Sequence, residues 1–180
     1  MTEAPSELQI LVSVDGLSRL FHSFDPSPFR ERDLDVDAEK FIVGWAQDAP
    51  AAAPLAIVVQ LPGDQTRPDS AALIEAAVRN NFDYKVGQET RALRELFREG
   101  WSALLVGIPI LAMSMIASQL IGIDAAPAST AGVISESLLI LGWVANWKPL
   151  EIFLYGWWPI VRRRTLYRRL AAARVEVRGI

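Results

Sequence analysis

The chain has 180 residues, a formal net charge of −3, one histidine and no cysteine. The missing thiols exclude disulfides, thiolate metal sites and cysteine nucleophiles, and a single histidine excludes metal sites built from several histidines. The slightly acidic balance gives no reason to expect nucleic-acid binding, and the length allows one modest domain beside any membrane segment.

Residues 1–100 predict a small cytoplasmic α+β domain. Leu8–Val14 and Leu55–Leu61 are short β-rich runs that end at turn signals, and both are predicted strands. Leu17–Phe24 is predicted to be a short helix. A longer helix is predicted from apolar residues at helical spacing, which we expect to form its buried face: Ala38, Phe41, Ile42 and Trp45.

Acidic residues precede that longer helix. Asp33, Asp35 and Asp37 resemble the start of a calcium-binding EF-hand loop, but Ala38 stands where glycine is needed and Gly44 where a bidentate glutamate belongs. Helix capping is therefore favoured over metal binding.

The loop before the helix has a second possible role. Its charged residues either pin an irregular loop or surround a small ligand, and the ligand-loop candidates are His22, Asp25, Arg30, Arg32 and Asp33.

A helix is predicted to begin at Asp69 and to continue into a membrane span. Its inner face in the soluble part is expected to carry Leu73, Ile74, Ala77 and Val78. Residues 101–123 contain no formal charge. At about 1.5 Å per residue, this segment is long enough to cross a hydrocarbon core of about 30 Å.

A second span is predicted after a short periplasmic loop at 124–130, which makes an antiparallel hairpin. One register is 130–147, with Glu136 inside the apolar zone; the other is 137–158, with Lys148 and Glu151 at depth. Ionised groups deep in a bilayer cost at least about 2.5–3.5 kcal/mol, so the first register is favoured, with a kink at Pro149.

Small residues in the first span predict a face where a second helix approaches closely. These helix-packing candidates are Ala103, Gly107, Ser114, Ser118 and Gly122. The polar residues in or near the spans are candidates either for a functional role or for interfacial snorkelling and helix pairing: Gln119, Glu136, Asn146, Lys148 and Glu151.

The distribution of basic residues predicts the orientation. Arginines precede the first span and follow the second, whereas the loop at 124–130 has none, so both termini are expected in the cytoplasm. The basic cluster after the second span is also a candidate site for anionic lipid headgroups: Arg162, Arg163, Arg164, Arg168 and Arg169, with Trp157 and Trp158 beside them.

The domain layout follows from these segments. Residues 131–158 form the second span with its interfacial end, and 159–180 form a cytoplasmic basic tail. Within the tail, 174–178 alternates like a half-buried strand. We expect it to join the N-terminal strands in a small mixed sheet, as part of an α/β sandwich that carries the two-helix transmembrane hairpin.

Two segments resemble a set of uncharacterised bacterial membrane proteins with the same order of soluble segment, paired spans and basic tail. They are residues 24–43, FDPSPFRERDLDVDAEKFIV, and 147–170, WKPLEIFLYGWWPIVRRRTLYRRL. The resemblance implies a bacterial inner-membrane protein and carries over no activity.

The expected function is non-enzymatic. The hairpin would anchor or scaffold the cytoplasmic domain at the inner membrane as a homo-oligomer, with anionic membrane lipids as partners and no cofactor. The alternative is an oligomeric channel or transporter component with Glu136 and Lys148 along its path. A membrane-bound enzyme using the loop from His22 to Asp33 is a third hypothesis.

Overall fold

The computed structural model describes residues 8–21, 34–50, 53–62, 70–123, 126 and 129–179. The chain divides into two compact units, which we call the sheet unit (Met1–Glu89 with Arg162–Ile180) and the hairpin unit (Thr90–Val161). The sheet unit is therefore built from both ends of the chain.

Three parallel strands form the sheet: β1 (Leu8–Ser13), β2 (Leu55–Leu61) and β3 (Arg174–Gly179). Their spatial order is β1-β2-β3. The predicted mixed sheet is wrong, because both pairings are parallel. Each connection between strands contains helices, and such crossovers return the chain to the same end of the sheet. The mixture of helices with this small sheet is compatible with the predicted α+β class.

One face of the sheet carries the hydrophobic core. In the paired register, Ile10 lies beside Ile57, which lies beside Val175, and all three are buried. Four helices contribute buried side chains to the same cluster: α1 (Leu17–Leu20), α2 (Val36–Asp48), the start of α3 (Ser70–Gly122) and α6 (Trp158–Ala171).

Helix α2 buries a different stripe from the predicted one. Ile42 and Ala46 are fully buried, whereas Phe41 and Trp45 are 45% and 56% exposed. Residues four apart lie on one face of a helix, and the face that packs into the core is the one with Ile42 and Ala46. The predicted burial of Phe41 and Trp45 is therefore wrong.

Helix α1 is shorter than the predicted Leu17–Phe24, whereas α2 begins with an aspartate cap, as the sequence predicts. Helix α1 ends at Leu20, and Phe21 is extended and forms an antiparallel bridge with Leu34. Asp35 is the N-cap of α2, where its Oδ1 accepts the Asp37 N–H at 2.9 Å. This bond satisfies one of the free amides of the first turn, as capping requires.

Helix α3 is continuous over 53 residues, with Pro109 inside it. Its first turns bury Ile74, Ala77 and Val78, while Leu73 is only half-buried. Within the described part of the chain, α3 is the one helix that is long and apolar enough to cross a membrane.

Helix α4 (Thr130–Ala145) is followed by α5 (Trp147–Glu151) and a π-helical turn (Ile152–Gly156). The break lies at Asn146, three residues before the predicted kink at Pro149. A proline ring clashes with the carbonyl four residues earlier, here that of Ala145, so the helix is interrupted ahead of the proline itself.

Candidate functional site

The hairpin unit carries its apolar side chains on the outside. Leu105 is 77% exposed, and the other exposed apolar side chains of α3 between 101 and 123 include Trp101, Val106, Met113, Ile116 and Leu120. Exposed side chains of the next helices include Ile140, Trp143, Val144 and Trp147. Leaving one large aliphatic side chain in water instead of burying it costs roughly 1.5–3 kcal/mol, so this surface suits an apolar surrounding.

The same unit keeps polar side chains inside. Of the four buried polar residues in the described chain, Ser114, Ser118 and Asn146 belong to the hairpin unit, and Asn81 belongs to the sheet unit. Ser118 on α3 contacts Ser135 on α4, and Asn146 contacts Gly107. These pairings run in opposite directions along the chain, so α3 and α4 pack as an antiparallel helical hairpin.

Glycines allow the two helices to approach closely. A Cβ atom at Gly107 would lie 2.7 Å from Asn146 Oδ1 and 3.2 Å from the Ala145 carbonyl oxygen. A Cβ atom at Gly142 would lie 2.9 Å from Leu111 Cδ1 and 3.3 Å from its Cα. Side chains at either position would therefore push the helices apart.

Asn146 uses both of its amide hydrogens at one end of the contact surface between α3 and α4, which we call the seam. Its backbone N–H bonds to Trp143, three residues back, which leaves the Gly142 carbonyl without its usual helical donor. Asn146 Nδ2 supplies that donor at 3.0 Å and also donates to the Gly107 carbonyl on α3 at 2.9 Å. The side chain thus repairs the helix break and joins the two helices.

A serine pair provides a second polar contact. Ser135 Oγ donates to the Ser118 carbonyl at 2.9 Å, and the two hydroxyl oxygens are 2.8 Å apart. Because the Ser135 proton is used by the carbonyl, the Ser118 hydroxyl donates to Ser135 Oγ.

The predicted packing residues of α3 lie on or near this seam. Gly107, Ser114 and Ser118 are buried, a Cβ atom at Gly122 would be 3.1 Å from Ser135 Oγ, and Ala103 is half-buried. Sequence reasoning missed Gly142 and Gly100; a Cβ atom at Gly100 would lie 2.9 Å from Ile152 Cγ2. The available signal was the seven-residue spacing of 100, 107 and 114, matched by 135 and 142.

The predicted intramembrane polar residues do not cluster. Asn146 is in the seam, whereas Gln119, Glu136 and Lys148 are exposed and Glu151 is half-exposed. Within this one chain, Glu136 and Lys148 lie away from the interior of the hairpin.

The sheet unit contains a separate cleft of about 570 Å³ between the end of α2 and α6. Its volume lies in the range of small-molecule sites. It is lined by Ala46, Gln47, Ala49, Arg162, Arg163, Thr165, Leu166 and Arg169. Three guanidinium groups thus share one cleft, and no carboxylate is among the described residues of its lining.

The three arginines of the cleft have different partners. Arg163 donates to Glu89 through Nε at 2.9 Å and Nη2 at 3.2 Å, and these hydrogen bonds raise the pKa of the guanidinium above its ordinary value. Arg169 Nη2 donates to the Pro50 and Ala53 carbonyls, both at 2.9 Å. Within the described ranges, Arg162 is exposed and has no polar partner.

The other candidates for lipid contact lie elsewhere. Arg168 is exposed outside the cleft, and Arg164 has a buried Nε that lacks a partner among the described residues. Trp157 is half-exposed and donates from Nε1 to the Phe153 carbonyl at 3.1 Å, while Trp158 is exposed. The structure therefore divides the five predicted arginines into a cleft set and an outer set.

A smaller cavity of about 320 Å³ lies at the carboxyl end of β1, where parallel sheets often bind ligands. Its charged lining residues are Asp15, Arg19, Asp35 and Asp37, and the Asp35 carboxylate already caps α2. No group of three or more metal-ligating side chains occurs among the residues with described positions. The predicted ligand-loop residues lie outside those positions: His22, Asp25, Arg30, Arg32 and Asp33.

Comparisons of the chain with protein-family models, curated proteins and solved structures found no match.

Proposed function

We propose that this protein is a non-enzymatic bacterial inner-membrane anchor or scaffold, whose helical hairpin crosses the bilayer twice and holds the sheet unit at the cytoplasmic surface. The observation that carries the proposal is the inverted burial of the hairpin unit, with exposed Leu105 and buried Asn146 as its extremes. Apolar side chains outside and hydrogen-bonded polar groups inside favour lipid as the solvent of this unit.

The second crossing requires more than α4. Its 16 residues give about 24 Å of helix, which is short of a hydrocarbon core of about 30 Å. Continuation into α5 supplies the missing length, about four residues, and leaves Lys148 and Glu151 at the interfacial end of the span. The hydrogen bonds of Asn146 allow this crossing because they satisfy the carbonyl that the helix break would otherwise leave unpaired in lipid.

The orientation proposal follows from the basic residues. Arg91, Arg94 and Arg98 precede the first crossing, and the arginines of α6 follow the second. The positive-inside rule then assigns both ends of the chain to the cytoplasmic side.

The homo-oligomer proposal is supported by the free edge of β1. Alternate residues of a parallel strand bond to one neighbour, so Gln9, Leu11 and Ser13 direct their backbone groups away from β2. Among the described residues, none bonds to those groups. The strand has no charge, and Leu11 is 52% exposed, whereas charged edges discourage pairing. A second copy can pair its own β1 there across a two-fold axis.

Single-cysteine labelling tests the two crossings, because the natural chain has no cysteine. Cysteine is introduced at Ala126 in the connecting loop, at Asp83 in α3 and at Ala172 after α6. An impermeant maleimide added to intact spheroplasts is expected to label only the Ala126 variant, and the other two only after permeabilisation. Labelling at both Ala126 and Ala172 from outside would indicate one crossing and would overturn the hairpin proposal.

The oligomer is tested separately by mass measurement in nanodiscs. The natural chain is expected as a dimer or larger, and Leu11→Lys, which places a charge on the free edge, is expected to shift it to a monomer. Asp48→Lys, on an exposed position of α2, is the control. A natural chain that is monomeric at all concentrations would contradict the proposal of a homo-oligomer.

A further inference from the structure

We propose that the cleft between α2 and α6 binds the phosphate headgroup of an anionic phospholipid, with Arg162 as its principal ligand. This inference rests on the proposed membrane anchoring and goes beyond it. A basic cluster that only sets topology needs no cavity, and all five arginines of α6 would then be equivalent.

The arginines of the cleft differ in how far their positive charge is already compensated by a partner. The Arg163 charge is compensated by the bidentate Glu89 carboxylate. The carbonyl partners of Arg169 are neutral, so that guanidinium keeps its charge while being held in place. Arg162 has both its charge and its hydrogen-bond donors free among the described residues. An arriving phosphate would therefore meet one free and one positioned guanidinium, and guanidinium groups match phosphate geometry.

The rest of the lining favours an amphiphile over a free phosphate ion. Ala46, Ala49 and Leu166 give the cleft apolar surface, while Gln47 and Thr165 add neutral hydrogen-bonding groups. The cleft volume of about 570 Å³ also exceeds what a lone phosphate needs. Headgroup, glycerol and the first methylenes of an acyl chain together match this combination of charge and apolar surface.

Arg162 lies close in the chain to a tryptophan that is expected at the membrane surface. Arg162 follows Trp158 by four residues in the same helix, about 6 Å of helical rise. Tryptophan favours the headgroup level of a bilayer. A phospholipid is consequently the phosphate compound most abundant where α6 leaves the proposed span.

The test compares two arginine variants with the same charge change on the same helix. Arg162→Gln removes the free cleft arginine, and Arg168→Gln removes an exposed arginine outside the cleft. Full-length protein in a mild detergent is titrated with phosphatidylglycerol, with phosphatidylcholine as the neutral lipid, and native mass spectrometry measures the affinity for the first lipid bound. Inorganic phosphate and glycerol phosphate are then added as competitors.

Arg162→Gln is expected to weaken phosphatidylglycerol binding about ten-fold, as the loss of one hydrogen-bonded guanidinium–phosphate contact predicts, and Arg168→Gln, which makes no such contact, less than about two-fold. Glu89→Gln, which frees Arg163, is expected to strengthen binding. Equal losses in the two arginine variants, or no preference over phosphatidylcholine, would overturn the proposal. If inorganic phosphate competes with an affinity equal to that of the lipid, the cleft is a free-phosphate site. This result would also overturn the proposal.

The labelling experiment on the Ala126 variant keeps this result separate from the membrane proposal. An Arg162→Gln protein that inserts with the same labelling pattern but keeps its lipid affinity contradicts the headgroup site alone. A natural chain that does not insert contradicts the anchor, whatever the cleft binds.

Discussion

The sheet unit and the hairpin unit differ in the side chains that they bury and expose. In the sheet unit, Ile57, Phe82 and Leu170 are fully buried, and ion pairs such as Lys85–Glu39 remain partly exposed at the surface. In the hairpin unit, Leu105 and Ile116 are exposed while Ser118 and Asn146 are buried. The difference supports the proposal that the two units lie in different solvents, water and lipid.

The contrast also separates the forces that hold each unit together. The sheet unit gains its stability from removing apolar area from water. Lipid tails are as apolar as leucine, so helices in a bilayer associate through close packing and hydrogen bonds instead. Large side chains should therefore dominate stability in the sheet unit, and glycines and amides in the hairpin unit.

The largest effect is expected for Phe82→Ala in the sheet unit. Phe82 is fully buried, and its ring stacks on Tyr167 with centroids 6.1 Å apart. Truncation of a buried phenylalanine costs about 3–5 kcal/mol because it removes apolar burial and leaves a cavity. Hydrogen exchange of the β2 amides, followed by mass spectrometry of the full chain in nanodiscs, measures the loss.

Phe41→Ala is the control for that measurement, because Phe41 is a half-exposed phenylalanine of the same unit. It is expected to change the β2 protection by less than about 0.5 kcal/mol. Similar losses in the two variants would show that the burial of Phe82 is not the reason for its effect on stability.

The next largest effect is expected for Gly107→Leu in the hairpin unit. Even its Cβ atom would lie 2.7 Å from Asn146 Oδ1. Overpacking a tight contact costs about 1–3 kcal/mol. Unfolding of the hairpin by titration with a denaturing detergent measures the change, and the β2 exchange rates should stay as they are.

Ala112→Leu introduces the same side chain at an exposed position of α3 and should be nearly neutral. If Ala112→Leu were as damaging as Gly107→Leu, the tight seam between α3 and α4 would not be the cause.

Local sequence signals predict the elements of the sheet unit better than the contacts between them. The β2 run and the caps around Asp35 are local signals, and the structure has them where the sequence predicts. Strand direction depends on the helical connections between the strands, and the exposure of Trp45 depends on which face of α2 packs into the core. The apolar spacing of 38, 41, 42 and 45 fits two adjacent faces. Packing against the core, which no local pattern contains, selects the face with Ile42 and Ala46.

The candidate sites show the same division. Small residues at 107, 114 and 118 predict a packing face because their spacing is periodic. The basic cluster of α6 was also visible, but its division into cleft and outer arginines was not. That division depends on Glu89, Pro50 and Ala53, which are distant in sequence and meet α6 only in the folded chain.

A smaller effect is expected for Asn146→Leu, which tests the polar interior of the hairpin. The variant keeps the branched shape of the side chain but removes the donors to Gly107 and Gly142. Hydrogen bonds between membrane helices contribute about 0.6 kcal/mol on average and up to about 1.7 kcal/mol, so a loss near 1 kcal/mol is expected. The same detergent titration measures it.

Gln119→Leu provides the matched control, because Gln119 is a polar residue of α3 that is exposed outside the seam. It should leave the hairpin unchanged or stabilise it in lipid. A hairpin that is weakened more by Gln119→Leu than by Asn146→Leu would reverse the assignment of inside and outside, and with it the contrast between the two units.

The smallest effect is expected for Ser135→Ala. This variant removes a hydroxyl that donates to the Ser118 carbonyl and accepts from the Ser118 hydroxyl. A loss of about 0.5 kcal/mol is expected, because the Ser118 hydroxyl then loses its acceptor on α4. Ser137→Ala removes a hydroxyl that bonds only to Val133 of its own helix and should have no measurable effect on helix pairing. Equal effects of the two variants would mean that the serine hydroxyls act only on the geometry of α4 itself. A loss confined to Ser135→Ala would instead show that hydrogen bonds across the seam, and not only glycine packing, hold the hairpin together.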